Sequence, residues 1–224
     1  MPNNQTVWGL KKTDNTIKAL FTNPQNITFE VTFKLDENYM FDVEQKVYNL
    51  SGKGVKISSF VRIFRAEGEG LENTFISHEG FIGAFDNKLN EFKYSKIKDV
   101  KRLFFPMQSE IVWAGFVDKY WLTAFFYPDT ACSASCSFIK SDISFNSIKE
   151  GMTDKFQSDL ITEEVNIASG SSLYFPFKFF AGAKELKVLD KYESEGFEME
   201  GKKYPLKHLE NAIDYGIFYF LTKP

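Results

Sequence analysis

The sequence predicts a mainly β protein: a large antiparallel β-sandwich with short α-helices at its C-terminal end. Aromatic residues make up 17% of the 224 residues, and 25 residues are Phe. Wide, flat side chains of this kind favour pleated, half-buried surfaces. Apolar and polar residues alternate along several short segments, as they do in strands that bury one face. After residue 180 the apolar residues change to helical spacing, which predicts the helices.

Two alternating segments in the first quarter of the chain predict an antiparallel hairpin, because the turn-forming residues 36–38 separate them. The first segment has its apolar positions at Ile27, Phe29, Val31, Phe33 and Leu35. The second has them at Tyr39, Phe41, Val43 and Val47. A glycine-containing turn over residues 51–54 leads to further strands over residues 55–64, and residues 173–180 predict a late strand.

Two amphipathic segments near the C-terminus predict two helices. The first has apolar residues at helical spacing, namely Ala183, Leu186, Leu189 and Tyr192. The second begins at Pro205, which the first turn of a helix tolerates, and Gly216 is placed to end it in a left-handed cap. Its apolar stripe consists of Leu206, Leu209, Ala212 and Ile213. We therefore predict one structural domain, with a sandwich body over residues 1–180 and a helical segment over residues 181–224 packed on it.

The composition excludes several classes of protein. The formal net charge is −3, with no basic stripe, so affinity for nucleic-acid phosphates has no electrostatic source and a polybasic membrane-surface patch is not expected. No run approaches the roughly 18 apolar residues of a spanning helix, and the N-terminus lacks the apolar stretch of a secretory signal. Taken alone, these features indicate a cytosolic protein or a piece of a longer one.

The two cysteines, Cys132 and Cys136, lie in a polar segment. A metal site needs three or four ligands, and His78 and His208 are distant in sequence, so no metal and no cofactor are expected. Two unremarkable thiols and a local disulfide both remain open, the second if the domain faces an oxidising compartment. Closing so short a loop would stabilise the fold by only about 2 kcal/mol.

Two longer motifs carry a resemblance to a known family. Residues 113–128 read W-A-G-F-V-D-K-Y-W-L-T-A-F-F-Y-P, and residues 213–224 read I-D-Y-G-I-F-Y-F-L-T-K-P. Both resemble signatures of the bacterial membrane-protein insertase family YidC, in the large periplasmic domain between its first and second transmembrane helices. Residues 39–49, 58–65, 78–83 and 180–192 resemble other stretches of the same domain, in family order. Ala183 stands where the family usually has proline, so the first helix is expected to start less sharply.

The resemblance implies a β-super-sandwich of the mutarotase-like kind with C-terminal helices. It also implies a role in the insertion and folding of inner-membrane proteins, alone or with the Sec translocon. The family's insertion groove is formed by membrane helices outside these 224 residues, so the domain itself is expected to be non-catalytic, chaperone-like or scaffolding. The implied partners are nascent inner-membrane proteins and Sec subunits. The implied location is the inner membrane, with the domain facing the periplasm and tethered by transmembrane helices.

Most of the signature residues are interpreted as structural: Trp113, Gly115, Asp118, Lys119, Tyr120, His78, Glu79 and Gly80. In a strand, residues 118 and 120 would face away from residue 119, so these three side chains cannot converge on a substrate. We expect Tyr120 in the core and the two charges at an edge or turn. His78 and Glu79 could act as a general base with its partner. That possibility gives the alternative function, a sugar-binding or mutarotase-like β-sandwich. Gly80 and Gly83 instead favour a tight loop.

The C-terminal segment is the candidate functional surface. Its apolar stripe is interpreted either as buried on the sandwich or as part of a membrane-proximal hinge, and both can hold. Aromatic residues beyond the stripe suit a membrane interface, where an apolar ring and a polar tip are both accommodated. The candidate residues are Leu206, Leu209, Ile213, Asp214, Tyr215, Gly216, Phe218, Tyr219 and Phe220. A free-standing secreted adhesion module is a third possible class, which membrane helices encoded downstream would exclude.

Overall fold

The computed structural model describes residues 1–66, 78–85, 88–106, 112–128, 130–132, 136–138, 140–150, 153–199 and 202–213. The fold is mainly β, as the aromatic content and the alternation predict. The first eight strands are β1 (Gly9–Thr13), β2 (Thr16–Thr22), β3 (Ile27–Leu35), β4 (Met40–Asn49), β5 (Val55–Ile57), β6 (Phe60–Ala66), β7 (Gly80–Phe85) and β8 (Lys88–Lys93). Helix α1 (Tyr94–Val100) follows.

The next strands are β9 (Arg102–Pro106), β10 (Val112–Val117), β11 (Trp121–Tyr127), β12 (Thr130–Cys132), β13 (Cys136–Phe138), β14 (Ser141–Glu150), β15 (Thr153–Thr162), β16 (Val165–Ile167) and β17 (Ser172–Ala183). The last described elements are helix α2 (Leu186–Glu195), strands β18 (Phe197–Met199) and β19 (Lys202–Tyr204), and the 3-10 helix Glu210–Ala212. No helix within these described ranges is long and apolar enough to cross a membrane.

Two antiparallel sheets form the sandwich. The large sheet has the order β1-β2-β3-β4-β17-β11-β10-β7-β8, with the β12–β13 hairpin attached to β17. The small sheet has the order β6-β15-β14-β9. Aromatic rings from both sheets fill the space between them; the ring centroid of Phe81 on β7 lies 4.9 Å from that of Phe145 on β14. At the free edge of the large sheet, every residue of β1 is exposed.

The predicted N-terminal hairpin is confirmed. Strands β3 and β4 pair in register from Ile27 opposite Asn49 to Leu35 opposite Phe41. The turn between them is stabilised by Asp36, whose Oδ1 atom accepts hydrogen bonds from the main-chain N–H groups of Asn38 and Met40 at 2.8 and 3.0 Å. Ile27 and Phe29 of β3 and Val43 and Val47 of β4 are buried, as the alternation predicts, whereas Phe33 is 38% exposed.

The outer face of the large sheet, opposite the small sheet, carries a second apolar core. Large side chains of the sheet meet α2 and residues 206–213 there, so the domain has three layers rather than two. The sheet contributes Met40, Ile82, Trp113, Val117, Leu122, Phe126 and Phe180. The covering layer contributes Leu189, Tyr192, Leu206, Leu209 and Ala212.

Two predictions about the C-terminal part of the chain need correction. The helix predicted from Pro205 to Gly216 is wrong over its described part, residues 205–213. The chain there forms a turn followed by the short 3-10 helix, because His208 has a left-handed φ of 66° that an α-helix cannot contain. The first helix begins at Leu186, while Ala183 still belongs to β17. The charged stretch before Pro205 contains the hairpin β18–β19, which the sequence did not predict. Helix α1 was also missed.

Gly115 provides a test of the sheet geometry. A Cβ atom at this position would lie 1.9 Å from the main-chain carbonyl oxygen of Thr123 on the neighbouring strand. We expect Gly115→Ala to lower the free energy of unfolding by about 3 kcal/mol, because β10 and β11 would have to separate. Urea unfolding followed by circular dichroism measures this change.

The matched control is Gly9→Ala, where the added Cβ would lie 3.7 Å from the carbonyl oxygen of Leu20, an ordinary contact. This control should change the free energy of unfolding by less than about 0.5 kcal/mol. Equal urea midpoints for the two variants would contradict the close approach of β10 to β11.

Candidate functional site

Residues 205–213, here called the docked segment, lie against the outer face of the large sheet. Leu206 and Leu209 have no exposed surface, and Ala212 is 3% exposed. Ile213 is half-buried and packs against the same cluster. The stripe of apolar residues is therefore buried on the sandwich, although its backbone is not an α-helix.

Trp113 connects the first sequence motif to the docked segment. Its indole is 1% exposed and lies on the outer face of β10, with its ring centroid 5.9 Å from that of Phe126. The indole Nε1–H donates a hydrogen bond of 2.9 Å to the main-chain carbonyl oxygen of Lys207. Trp113 thus combines an apolar contact with a directional bond, as buried tryptophans commonly do.

Glu193 holds the docked segment from the other side. It lies in the last turn of α2, and its two carboxylate oxygens accept hydrogen bonds from the N–H groups of His208 at 3.0 Å and Glu210 at 2.8 Å. A carboxylate that accepts from two main-chain N–H groups makes charge-assisted bonds, which are stronger than neutral ones. The sequence analysis missed Glu193, because the bonds link residues 15 and 17 positions apart and no local pattern reveals them.

Tyr192 ties α2 to the sandwich body. Its side chain is 6% exposed, and its hydroxyl donates a hydrogen bond of 2.5 Å to Oδ2 of Asp36 in the β3–β4 turn. Burial, and next the bond to Asp36, raise the pKa of the Tyr192 hydroxyl above its ordinary value. The hydroxyl therefore remains a neutral donor at physiological pH, so this bond does not depend on titration of the tyrosine.

The Asp118–Tyr120 motif is a loop between β10 and β11. The prediction that Tyr120 lies in the core is wrong, since its side chain is 64% exposed. The expectation that the charges lie at a turn is confirmed. Asp118 forms an ion pair with Arg65 of β6, which joins the two sheets at this end of the sandwich. The ammonium of Lys119 lies 5.1 Å from the centroid of the Tyr120 ring.

The His78–Gly80 motif leads into β7 instead of forming a tight loop, because Gly80 is the first residue of that strand. Position 80 nevertheless requires glycine, because a Cβ atom at Gly80 would lie 2.4 Å from the carbonyl oxygen of Phe92. His78 Nε2 lies 3.0 Å from the carbonyl oxygen of Phe81, so a protonated Nε2 donates to the main chain. Both His78 and Glu79 are half-buried.

Several predicted site residues take no part in the contacts that hold the docked segment. Cys132 and Cys136 are opposite each other in the register of the β12–β13 hairpin, and a disulfide between them stays a prediction. Among the described residues, no three His, Cys, Asp or Glu side chains are grouped as a metal site would require. Six predicted residues lie outside the described part of the chain: Asp214, Tyr215, Gly216, Phe218, Tyr219 and Phe220.

The fold and the site define a class of protein: a large β-sandwich domain whose residues 205–213 are fixed to the outer face of its main sheet. The chain belongs to the YidC periplasmic domain family, whose model matches residues 1–224. The resemblance inferred from the two motifs is therefore confirmed.

Curated relatives carry the name membrane protein insertase YidC. The protein of Rickettsia felis is 35% identical over 228 residues, which cover 100% of this chain and 38% of the relative. That of Rickettsia massiliae is 34% identical with the same coverage. The chain thus spans 38% of the length of these relatives. Their name does not favour the sugar-binding alternative.

Among solved structures, a TPR-domain containing protein from Parabacteroides distasonis aligns with 89% of this chain and 36% of its own. The TM-score is 0.43 and the identity is 6%, so this likeness supports no conclusion about fold or function.

Trp113 gives a test of the site. We expect Trp113→Phe to lower the free energy of unfolding by about 2 kcal/mol, because it removes the bond to Lys207 and leaves part of the indole volume empty. Urea unfolding measures the loss. Trp121→Phe is the control, since Trp121 is 59% exposed and its replacement should cost less than about 0.5 kcal/mol. Equal effects of the two substitutions would contradict an anchoring role for Trp113.

Proposed function

We propose that this chain is the periplasmic domain of a membrane-protein insertase. In the full-length protein it would assist the insertion and folding of inner-membrane proteins, alone or with Sec translocon subunits. Membership of the YidC periplasmic domain family supports this proposal, together with the name of the curated relatives. The structural observation that carries it is that residues 205–213 are fixed to the main sheet. These residues lead directly into the second sequence motif.

The domain itself is proposed to be non-catalytic, with no cofactor and no small-molecule substrate. Two of the groups that could perform acid–base chemistry, Asp118 and His78, are engaged in the fold instead. Asp118 is paired with Arg65 across the sandwich, and the imidazole of His78 contacts the main chain at Phe81. These contacts favour a scaffold, in which binding and positioning are the work of the domain.

The proposed scaffold has a body over residues 1–180 and a C-terminal segment over residues 181–224 that leads toward a transmembrane helix. Trp113 binds residues 205–213 from the sheet and Glu193 binds them from α2. These two anchors would hold the body in one orientation relative to the bilayer. Tyr215, Phe218, Tyr219 and Phe220 would then lie near the membrane surface, where aromatic side chains are favoured. The domain would face the periplasm of a bacterial inner membrane.

Charged residues in the docked segment test this proposal. We expect the double substitution Leu206→Asp and Leu209→Asp in the full-length protein to abolish its function in insertion. The reason is that two carboxylates cannot be buried unpaired on the sheet, so the segment would detach. Growth of cells that depend on this protein, together with protease protection of an inserted substrate, provides the measurement.

The matched control is Leu10→Asp with Leu50→Asp, at positions that are 73% and 56% exposed. Circular dichroism of the isolated chain serves to check that the sandwich remains folded in both variants. Normal insertion by the Leu206 and Leu209 variant, with a folded sandwich, would contradict the proposed role of the segment.

A further inference from the structure

The turn at the start of the docked segment has a backbone conformation that its sequence does not favour. His208 has a φ of 66°, in the left-handed region that residues with a Cβ atom rarely adopt. Glycine would suit this position, but the chain has histidine there. Such a conformation persists only where surrounding contacts impose it.

The contacts that impose it lie on both sides of His208. The carbonyl group before it, that of Lys207, accepts a bond from Trp113. The N–H groups of His208 itself and of Glu210 donate to the carboxylate of Glu193. A weaker contact of 3.4 Å joins the amide nitrogen of Asn211 to Nδ1 of His208. Glu193 is the one side chain in this set that binds two main-chain groups of the turn.

In the described part of the chain, residues 205–213 belong to no strand, so side-chain contacts rather than strand pairing attach the docked segment to the body. The body contains long hydrogen-bonded ladders, such as the one joining β14 to β15 from Ser141 to Glu150. The docked segment has the anchors described above and three buried apolar side chains, Leu206, Leu209 and Ala212. Segments of this kind open locally without unfolding of the whole domain.

We propose that Glu193 is a positioning residue that holds the strained turn at His208 and thereby sets the direction in which the chain leaves the sandwich. Without its carboxylate the turn relaxes more readily to a conformation with negative φ at His208, and residues 206–213 open from the sheet more often, as one unit. The effect on insertion rests on the proposed function above; the local coupling between Glu193 and His208 does not.

Glu193→Gln tests the coupling in the isolated chain. The amide has the same shape but offers one acceptor oxygen in place of two, and its NH₂ group faces a main-chain donor. We expect hydrogen–deuterium exchange of the peptide covering residues 205–213 to become faster by about tenfold or more, the effect of losing one charge-assisted bond. Exchange in β10 and β11 should not change.

A second substitution distinguishes positioning from general stability. His208→Gly permits positive φ without strain, so adding it to Glu193→Gln should restore most of the lost protection. Glu195→Gln is the control, since it makes the same change of charge at the exposed end of α2. Unchanged exchange in Glu193→Gln would overturn the proposal. Equal loss of protection throughout the sandwich, with no rescue by His208→Gly, would also overturn it.

The same three variants in the full-length protein separate this inference from the proposed function. Reduced insertion with Glu193→Gln, together with recovery when His208→Gly is added, supports both the coupling of Glu193 to His208 and the proposed function. Faster exchange with unchanged insertion supports the coupling and contradicts a role of the segment in insertion. Reduced insertion with unchanged exchange contradicts the coupling.

Discussion

The central strands of the large sheet are apolar on both faces, and the rest of the domain depends on this constraint. All six residues of β10 are buried, and they alternate between two separate cores. Val112, Ala114 and Phe116 face the small sheet, whereas Trp113 and Val117 face the C-terminal layer. Each large apolar side chain contributes about 1.5–3 kcal/mol by leaving water. Neither face of these strands can therefore remain bare, and two covering layers are required.

This constraint explains which parts of the fold could be predicted from sequence. The hairpin β3–β4 alternates clearly, because its outer face carries polar residues such as Lys46 and Glu30. The residues of β10 and β11 form nearly continuous apolar runs, so their division between two cores has no signature of its own. The sequence therefore predicts the sandwich and a C-terminal segment packed on it, but not that β10 and β11 are the strands covered on both faces. Helix α1 was missed because only two of its residues, Tyr94 and Ile97, are buried.

The C-terminal segment shows why burial is easier to predict than backbone conformation. The spacing of Leu206, Leu209 and Ala212 correctly indicates which residues are buried. It does not distinguish an α-helix from a turn followed by a 3-10 helix, since both bring residues three positions apart to the same side. The backbone conformation depends on Glu193 and Trp113, which are distant from residues 205–213 in sequence and bind main-chain atoms of that segment. One of these contacts joins Trp113, the first residue of the first motif, to Lys207 in the docked segment that leads into the second motif. Composition alone could not show this contact.

The first strand has a consequence for how the domain behaves among its neighbours. Among the described strands, β1 is the last of the large sheet and pairs only with β2; such edges recruit strands from other molecules. Lys11 is the middle residue of β1, and Lys12 follows it. Two copies joined antiparallel through this strand, centred on its middle residue, would place Lys11 opposite Lys11, where like charges repel. A short, cationic edge strand thus discourages fibrous stacking even when many copies are crowded together.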